Sequence, residues 1–408
     1  MMAALAQRWL PFLAWQRPTR ATMWRDLMAG LTVSLLAIPQ CMAYAQLCGV
    51  PAQYGLYGAF IPSIVGALFG SSALLSTGPV ALTSLLTAAS VGLVATPGTA
   101  NFYAAVTLMA LLSGLMQIGL GLARAGMLLS LLSHPVLVGF INAAAVVITL
   151  SQVPALLGIT VPPGRSALAD LWHLLTHLGQ VHGPSAVLGL LAVQMLVVAK
   201  RAAPRLPGVL IMVATLTAVS WAIDFAGRGG KVVGVIPTGL PGLSMPTLDW
   251  PTLVALLPAA LVVSLVSFTE AMSSCKLIAL KTQTRWDENQ ELIGQGLAKV
   301  VAAFSQSMPV SGSFSRSALN LASNAVTAWS GIFAAGFVLL ALLLLTPLLH
   351  HLPKPALAAM IIVAVANLVD VPAMRSAWAT SRDDGVAALL TFGATLVFAP
   401  QIQNGILA

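Results

Sequence analysis

Apolar stretches of about the length a bilayer demands alternate along this chain with short polar or Pro/Gly-rich breaks. Read this way, the first half holds spans near 26–46, 54–70, 78–95, 102–123, 133–157, 184–200 and 207–225, with an amphipathic segment at 167–182. The stretch "VVGVIPTGLPGLSMPTLDWP" is too polar to span and reads as an extended surface connection. Second-half spans follow near 252–279, 288–305, 314–327, 329–350, 355–370 and 383–399, and a last one starts near 402. The expected organisation is an N-terminal segment 1–25, a first repeat 26–225, a connection 226–251 and a second repeat 252–408. Spans three and ten differ from the rest. Each follows a small-residue, β-tolerant stretch broken by Gly and Pro: "SSALLSTGPVALTSLL" in one half, "SQSMPVSGSFSRSALN" in the other. Irregular backbone is tolerated at membrane depth only where it lines a cavity or is buried in protein. Paired interrupted spans at matching positions point to a substrate site.

Composition sharpens this picture. The chain is 58% hydrophobic and only 7% charged, where a soluble domain carries about 25% charge. It is expected to be a polytopic membrane protein with little room for a soluble domain. Its net charge is +8, but the basic residues are scattered between spans and not gathered on one face, which argues against nucleic acid and for topology. Arg8, Arg17, Arg20 and Arg25 precede the first span, so the N-terminus is expected in the cytoplasm, without a cleaved signal. On that basis Arg124, Lys200, Arg201, Arg205, Lys276, Lys281, Arg285, Arg375 and Arg382 fall inside, and only Arg165, Arg228, Lys231 and Lys354 outside. The bias fits an odd number of spans per half, so the halves insert upside down relative to each other. The expected fold class is an all-α membrane protein with a 7+7 inverted repeat and strand-like stretches before half-helices three and ten.

Candidate chemistry gathers at the interrupted spans. Arg316 is a charge in mid-membrane, which is costly unless it faces a cavity, a partner or a substrate. It lies in the first turn of a helix, where free amides and the dipole favour an anion. Ser313, Phe314 and Ser315 join it, with Ser317 adding a further hydroxyl and Phe314 a possible apolar lid. Thr77, Gly78, Pro79, Val80 and Ala81 begin the facing helix. Two helix starts and one guanidinium make a site for a small oxyanion; the plainer reading has Arg316 locking the fold through backbone carbonyls. Glu270 is the acidic residue placed well inside a span; the others, Asp26 and Glu291 among them, sit near span ends or in loops. It can take up a proton in step with anion entry, or serve as a fixed partner for Arg316 or an amide. In the first span Pro39 is expected to break the helix. Gln40 and Tyr44 there share one face and can reach the site, unless Tyr44 is only an interfacial anchor. Cys41, Cys48 and Cys275 read as small buried residues. His173 and His177 lack partners for a metal site and fit an interfacial helix. No cofactor or metal is expected. Nucleotide loops and nucleophile–base pairs are missing from the sequence, so an enzyme finds little support.

Several runs resemble the SulP anion permeases, bacterial relatives of solute-carrier family 26. They are "IPQCMAYAQLCGVPAQYGLYGAFIPSIVGALFGSS", "LLSHPVLVGFINAAAVVITLSQ", "DENQELIGQGLAKVVAAF" and "PVSGSFSRSALN". The likeness covers essentially the whole chain in the right order. It implies fourteen segments, with a core domain (spans 1–4 and 8–11) moving against a gate domain (spans 5–7 and 12–14). It also implies a substrate held between the starts of segments three and ten, and it carries over onto Ser315, Arg316, Gln40, Tyr44 and Glu270. Gln40, Tyr44 and "GSFSRSA" look most like the sulfate-type branch, for which proton symport is the usual expectation. The leading expectation is a sulfate:proton symporter with elevator-type motion. Alternatives are a bicarbonate or dicarboxylate (fumarate-like) carrier, an anion exchanger or an anion channel. Expected partners are a small oxyanion, a proton or sodium as coupling ion, and the lipid bilayer, with a homodimer left open. One departure is small: Ser72 is followed by Ala73, where the signature often has a basic residue. The resemblance also implies a cytoplasmic STAS domain after segment fourteen, and this sequence stops at "NGILA".

Overall fold

The computed structural model describes residues 10–15, 17–126, 134–160, 167–202, 207–366 and 368–399. In chain order its first-half helices are α1 (Arg20–Cys48), α2 (Ala52–Phe69), α3 (Ala81–Val91), α4 (Ala100–Leu122), α5 (His134–Leu157), α6 (Ala167–Thr176), α7 (Gly183–Ala202) and α8 (Gly208–Ala222). The second half continues with α9 (Trp250–Thr282), α10 (Glu288–Phe304), α11 (Phe314–Ala322), α12 (Trp329–Leu344), α13 (Thr346–Leu349), α14 (Lys354–Ala366), α15 (Val371–Thr380) and α16 (Arg382–Phe398). Two short strands, β1 (Thr77–Gly78) and β2 (Ser311–Gly312), precede α3 and α11. Among the described residues, seven helical runs are long and apolar enough to cross a bilayer: α1, α2, α4, α5, α7, α9 and the run 354–379. The chain is thus a multi-pass, essentially all-helical membrane protein.

Local chemistry sets the ends of these helices. Thr19 caps α1 by accepting from the Thr22 amide, and Gly49 closes it in the left-handed conformation at φ 81°. Asp287 caps α10 by accepting from the amides of Asn289 at 2.8 Å and Gln290 at 3.0 Å. α3 and α11 have only 11 and 9 residues, which at about 1.5 Å per residue reach roughly half-way through a hydrocarbon core. They are half-helices, and each is preceded by a two-residue strand.

The element order repeats. α1, α2, β1, α3 and α4 in the first half correspond to α9, α10, β2, α11 and α12 in the second. Because β1 and β2 pair antiparallel, the half-helices that follow them leave in opposite directions, as an inverted repeat requires.

Three expectations are corrected. Pro39 does not break the first span: α1 runs through it without interruption, since a proline removes one ladder bond and packing within the bundle holds the rest. The half-helices are shorter than the spans read from hydropathy, because apolar loop residues beyond Val91 and Ala322 extend the pattern without extending the helix. The stretch 371–380, left between two expected spans, forms a helix of its own, α15, capped by Asp370, which accepts from the Ala373 amide at 2.8 Å. The expected last span from 402 lies outside the described residues, as do Arg8, Arg165 and Arg205.

The chain forms two compact units, Met1–Leu131 with Thr238–Leu344, and Leu132–Pro237 with Leu345–Ala408. In the first, α10 packs on α2 and α4, α9 on α4, and α1 on α12. The approach of α4 to α10 is close enough that a Cβ on Gly114 would lie 2.8 Å from the Gly296 carbonyl, and one on Gly296 would lie 2.8 Å from the Gly114 carbonyl. Small residues are what let helix backbones meet where no water competes for their surfaces. Asp26 on α1, fully buried, accepts from the amides of Val326 (2.7 Å) and Thr327 (3.2 Å) and from the Thr327 hydroxyl, holding the loop between α11 and α12. In the second unit α5 packs on α14 and α16, and α14 on α7. The Asp370 amide donates to Asn142 Oδ1 at 2.9 Å there.

Candidate functional site

All of the sequence-predicted site residues fall within the first compact unit. Thr77 pairs with Gly312 and Gly78 with Ser311. The Ser313 amide donates to the Ser76 carbonyl at 2.8 Å, and the Ser76 amide to Ser317 Oγ at 2.8 Å. These bonds bring the starts of α3 and α11 side by side. Pro79 ends the ladder because it has no N–H to give. The helix beyond it begins only at Ala81, so Thr77 and Gly78 are strand and Pro79 and Val80 are linker, not first turn as the sequence suggested.

The two helix starts are unlike. Ser313 caps α11, its Oγ accepting from the Arg316 amide at 3.4 Å. Val80 sits at the cap of α3 and makes no side-chain cap bond. The first turn of α3 therefore keeps amide donors that a Ser or Asp cap would have engaged. Its positive dipole end sits beside a second one, an arrangement that favours negative charge.

Arg316 lies between them, 1% exposed. Its Nη1 donates to the Pro79 carbonyl at 2.9 Å and approaches Cys41 Sγ at 3.8 Å; its Nε donates to Ser76 Oγ at 3.4 Å. Nη2 is buried with no hydrogen-bond partner among the described residues. Gly78 makes room for it: a Cβ there would lie 3.0 Å from Nη2. Part of the guanidinium thus ties the fold through a carbonyl, and part remains unspent. A cleft bounded by Val33, Ala37, Ser63, Ser76, Thr77 and Ala334 also reaches Arg316.

The other predicted residues divide into two groups. Gln40 and Tyr44 are each 5% exposed and lie on one face of α1. Gln40 Nε2 donates to the Tyr44 hydroxyl at 2.9 Å, while Gln40 Oε1 is buried and unpartnered. This burial removes the interfacial-anchor reading of Tyr44. Glu270, on α9, has a buried Oε2 without a hydrogen-bond partner, and the fixed charges acting on it are those of Arg316 and Lys299. Less available are Thr77, whose Oγ1 accepts from Gln295 Nε2 at 2.8 Å, and Ser317, whose Oγ is taken by the Ser76 amide. Phe314 is 49% exposed and Ser315 is exposed; Ser313 and Ser315 hydroxyls lie 3.4 Å apart.

Sequence reading passed over three buried ionisable groups around this core. Lys299 on α10 is fully buried, and its Nζ donates to Gln117 Oε1 and Ser267 Oγ, each at 2.5 Å. A lone lysine inside "GLAKVVAAF" was the available signal. Glu291, assigned to a span end, is buried in the fold. It accepts from the amides of Ser71 (2.8 Å) and Ser72 (3.0 Å) and from Gln295 Nε2 (2.9 Å), which links it onward to Thr77. Asp26, likewise assigned to an end, holds the loop already described.

Comparison with known proteins places the chain in a family. The profile of the Sulfate permease family matches residues 23–391. The chain is 35% identical over 407 residues to the chloroplastic sulfate transporter 4.1 of Arabidopsis thaliana, covering 97% of this chain and 58% of that protein. It therefore spans less than two thirds of that relative's length. Among solved structures, SLC26A9 superposes with a TM-score of 0.93 at 23% identity, over 100% of this chain and 67% of the other. The transmembrane domain of a cyanobacterium bicarbonate transporter, BicA, superposes with a TM-score of 0.84 at 22% identity, over 96% and 99% respectively. The chain belongs to the sulfate permease family and has the inverted-repeat membrane fold of these structures.

Proposed function

We propose that this member of the sulfate permease family is the membrane part of a secondary active transporter of small inorganic anions, and that it carries sulfate together with a proton. The observation that carries the reading is Arg316: a buried cation whose Nη2 has no hydrogen-bond partner among the described residues, beside a helix start whose cap side chain engages none of its amides. A buried charge left without compensation is expensive, and an oxyanion arriving between the starts of α3 and α11 would supply the missing acceptors. Guanidinium nitrogens and helix amides suit a tetrahedral oxyanion, which offers several acceptor oxygens at once. Gln40 and Tyr44 line the α1 side. Phe314 closes over the cargo from the exposed end of α11.

Glu270 supports the proton. Its unpartnered Oε2 lies in the field of the cation that would hold the anion. A bound anion takes up the positive field of Arg316 and makes proton uptake by Glu270 easier, and a proton on Glu270 removes a negative charge that repels the anion. The two cargoes then bind co-operatively. The cradle is contained in one compact unit, which can travel as a body. In this reading that unit is the moving core of an elevator-type cycle and the other unit is the gate. The protein is expected in a bacterial inner membrane, with a cytoplasmic N-terminus.

The test is uptake of labelled sulfate, bicarbonate and fumarate into proteoliposomes under imposed proton and sodium gradients. Sulfate uptake driven by an inward proton gradient is expected. Preference for bicarbonate or fumarate, or uptake at channel rates without coupling, would replace the reading with one of its alternatives.

A further inference from the structure

Lys299 takes no part in the mechanism above, yet it is buried as completely as Arg316. It sits in the second half of α10 where that helix meets α4, in the same close contact that Gly114 and Gly296 permit: a Cβ on Gly114 would lie 2.9 Å from Lys299 Cβ. From there Nζ reaches across to Gln117 on α4 and Ser267 on α9, each 2.5 Å away. Both acceptors are neutral. Gln117 is itself held by the Ser264 carbonyl, to which its Nε2 donates at 3.2 Å. A neutral amide side chain at 299 could satisfy the same two groups without the cost of burying an ammonium, so the charge itself calls for an explanation.

The position answers this. Ser267 lies one turn before Glu270 on the same face of α9, and its carbonyl accepts from Ser311 Oγ of β2 at 2.7 Å. Lys299 therefore acts on the two elements that frame the cradle, through one serine, without reaching the cargo. Glu270 and Lys299 act on each other electrostatically. The other titratable or charged groups facing Glu270 are Arg316 from α11 and Tyr44 from α1, with Cys41 beside them. α3 contributes none, and α4 carries only Tyr103, near its start. The buried carboxylates Glu291 and Asp26 are occupied at Ser71–Ser72 and Val326–Thr327. The fixed charge around the cradle is thus set by three side chains: Arg316, Lys299 and Glu270.

We propose that Lys299 is a positioning residue that sets the valence of the cargo, tuning the site to doubly charged oxyanions. The inference rests on the transporter reading. When Glu270 carries a proton, two cations stand against the two negative charges of a dianion; without Lys299 the same state would balance only a monoanion. Lys299 also keeps Glu270 and β2 in register through Ser267.

The experiment measures sulfate and nitrate uptake side by side for the full-length protein in proteoliposomes, in the wild type, Lys299→Gln and Lys299→Arg. Lys299→Gln is expected to lower the sulfate-to-nitrate uptake ratio by about tenfold or more, the scale of one charge acting through the protein interior, and Lys299→Arg to restore it to within about threefold. A double variant, Lys299→Met with Gln117→Leu, removes the charge and its acceptor together and leaves no orphaned polar group. It reports the same ratio should Lys299→Gln fail to insert. Equal loss of both anions, or a ratio that stays put in either neutral variant, overturns the inference while leaving the transporter reading intact. Wild-type protein that takes up neither anion removes both.

Discussion

Replacing Arg316 by alanine separates the two jobs its guanidinium performs. The structural job is the Nη1 bond to the Pro79 carbonyl at 2.9 Å and the weaker Nε contact with Ser76 at 3.4 Å. Their loss leaves a buried carbonyl unpaired and costs about 1–3 kcal/mol. Removing a buried cation whose Nη2 lacks a partner among the described residues offsets part of that, so the empty variant should remain inserted and folded. The binding job is larger. One unit charge acting on another about 4 Å away, at an effective dielectric constant near 20, is worth about 4 kcal/mol, or roughly a thousandfold in affinity. Arg316→Ala is therefore expected to lose sulfate uptake into proteoliposomes by about three orders of magnitude, and to lose the thermal stabilisation that sulfate confers on the wild type. Its melting temperature without sulfate should move little by comparison. Arg316→Lys keeps the charge but not the planar fork, and should recover uptake only in part. Arg316→Ala protein that takes up sulfate at the wild-type rate would refute the reasoning, because the cation would then be only a clamp on Pro79.

Glu270→Gln should still move sulfate down its own gradient but stop responding to an imposed pH gradient; an unchanged response would put the proton elsewhere. Gly78→Ala sets a methyl group 3.0 Å from Arg316 Nη2 and should lower uptake about tenfold or more while the protein still reaches the membrane, since even a small shift of a positioned group is costly; full activity in transport assays would show that Nη2 is not aimed at cargo. Asp26→Ala strips the acceptors from the amides of Val326 and Thr327 and should cost about 2–4 kcal/mol, read as a lowered melting temperature of the solubilised protein, whereas an unmoved transition would mean that the loop is held by other contacts.

Much of this protein is legible in its sequence. Hydropathy located every long helix, because a span must be apolar over a length the bilayer dictates. The oddity of "STGPVAL" and "SGSFSRSALN" marked where the backbone would leave helix, because Gly, Pro and Ser cannot be read as lipid-facing helix in such company. Arg316 and Glu270 stood out because an ionisable residue deep in a span needs a reason. Where helices end was less legible. Apolar loop residues after Val91 and Ala322 look like helix to any window, and the run through Pro39 looked like a break although α1 continues.

What the chain determines by itself, then, is its solvent and its punctuation. Period and composition settle that it lives in lipid, where its helices lie, and which two junctions are irregular, since these depend on each residue's transfer energy and backbone preference alone. Only the folded arrangement decides what those junctions do. The pairing of Thr77 with Gly312 joins segments more than half the chain apart. It sets two helix starts beside Arg316, whose Nη2 has no hydrogen-bond partner among the described residues, while packing buries Lys299, Glu291 and Asp26. Such facts reside in distances between elements. No local preference encodes them, because burial and charge compensation are properties of neighbours brought together by packing.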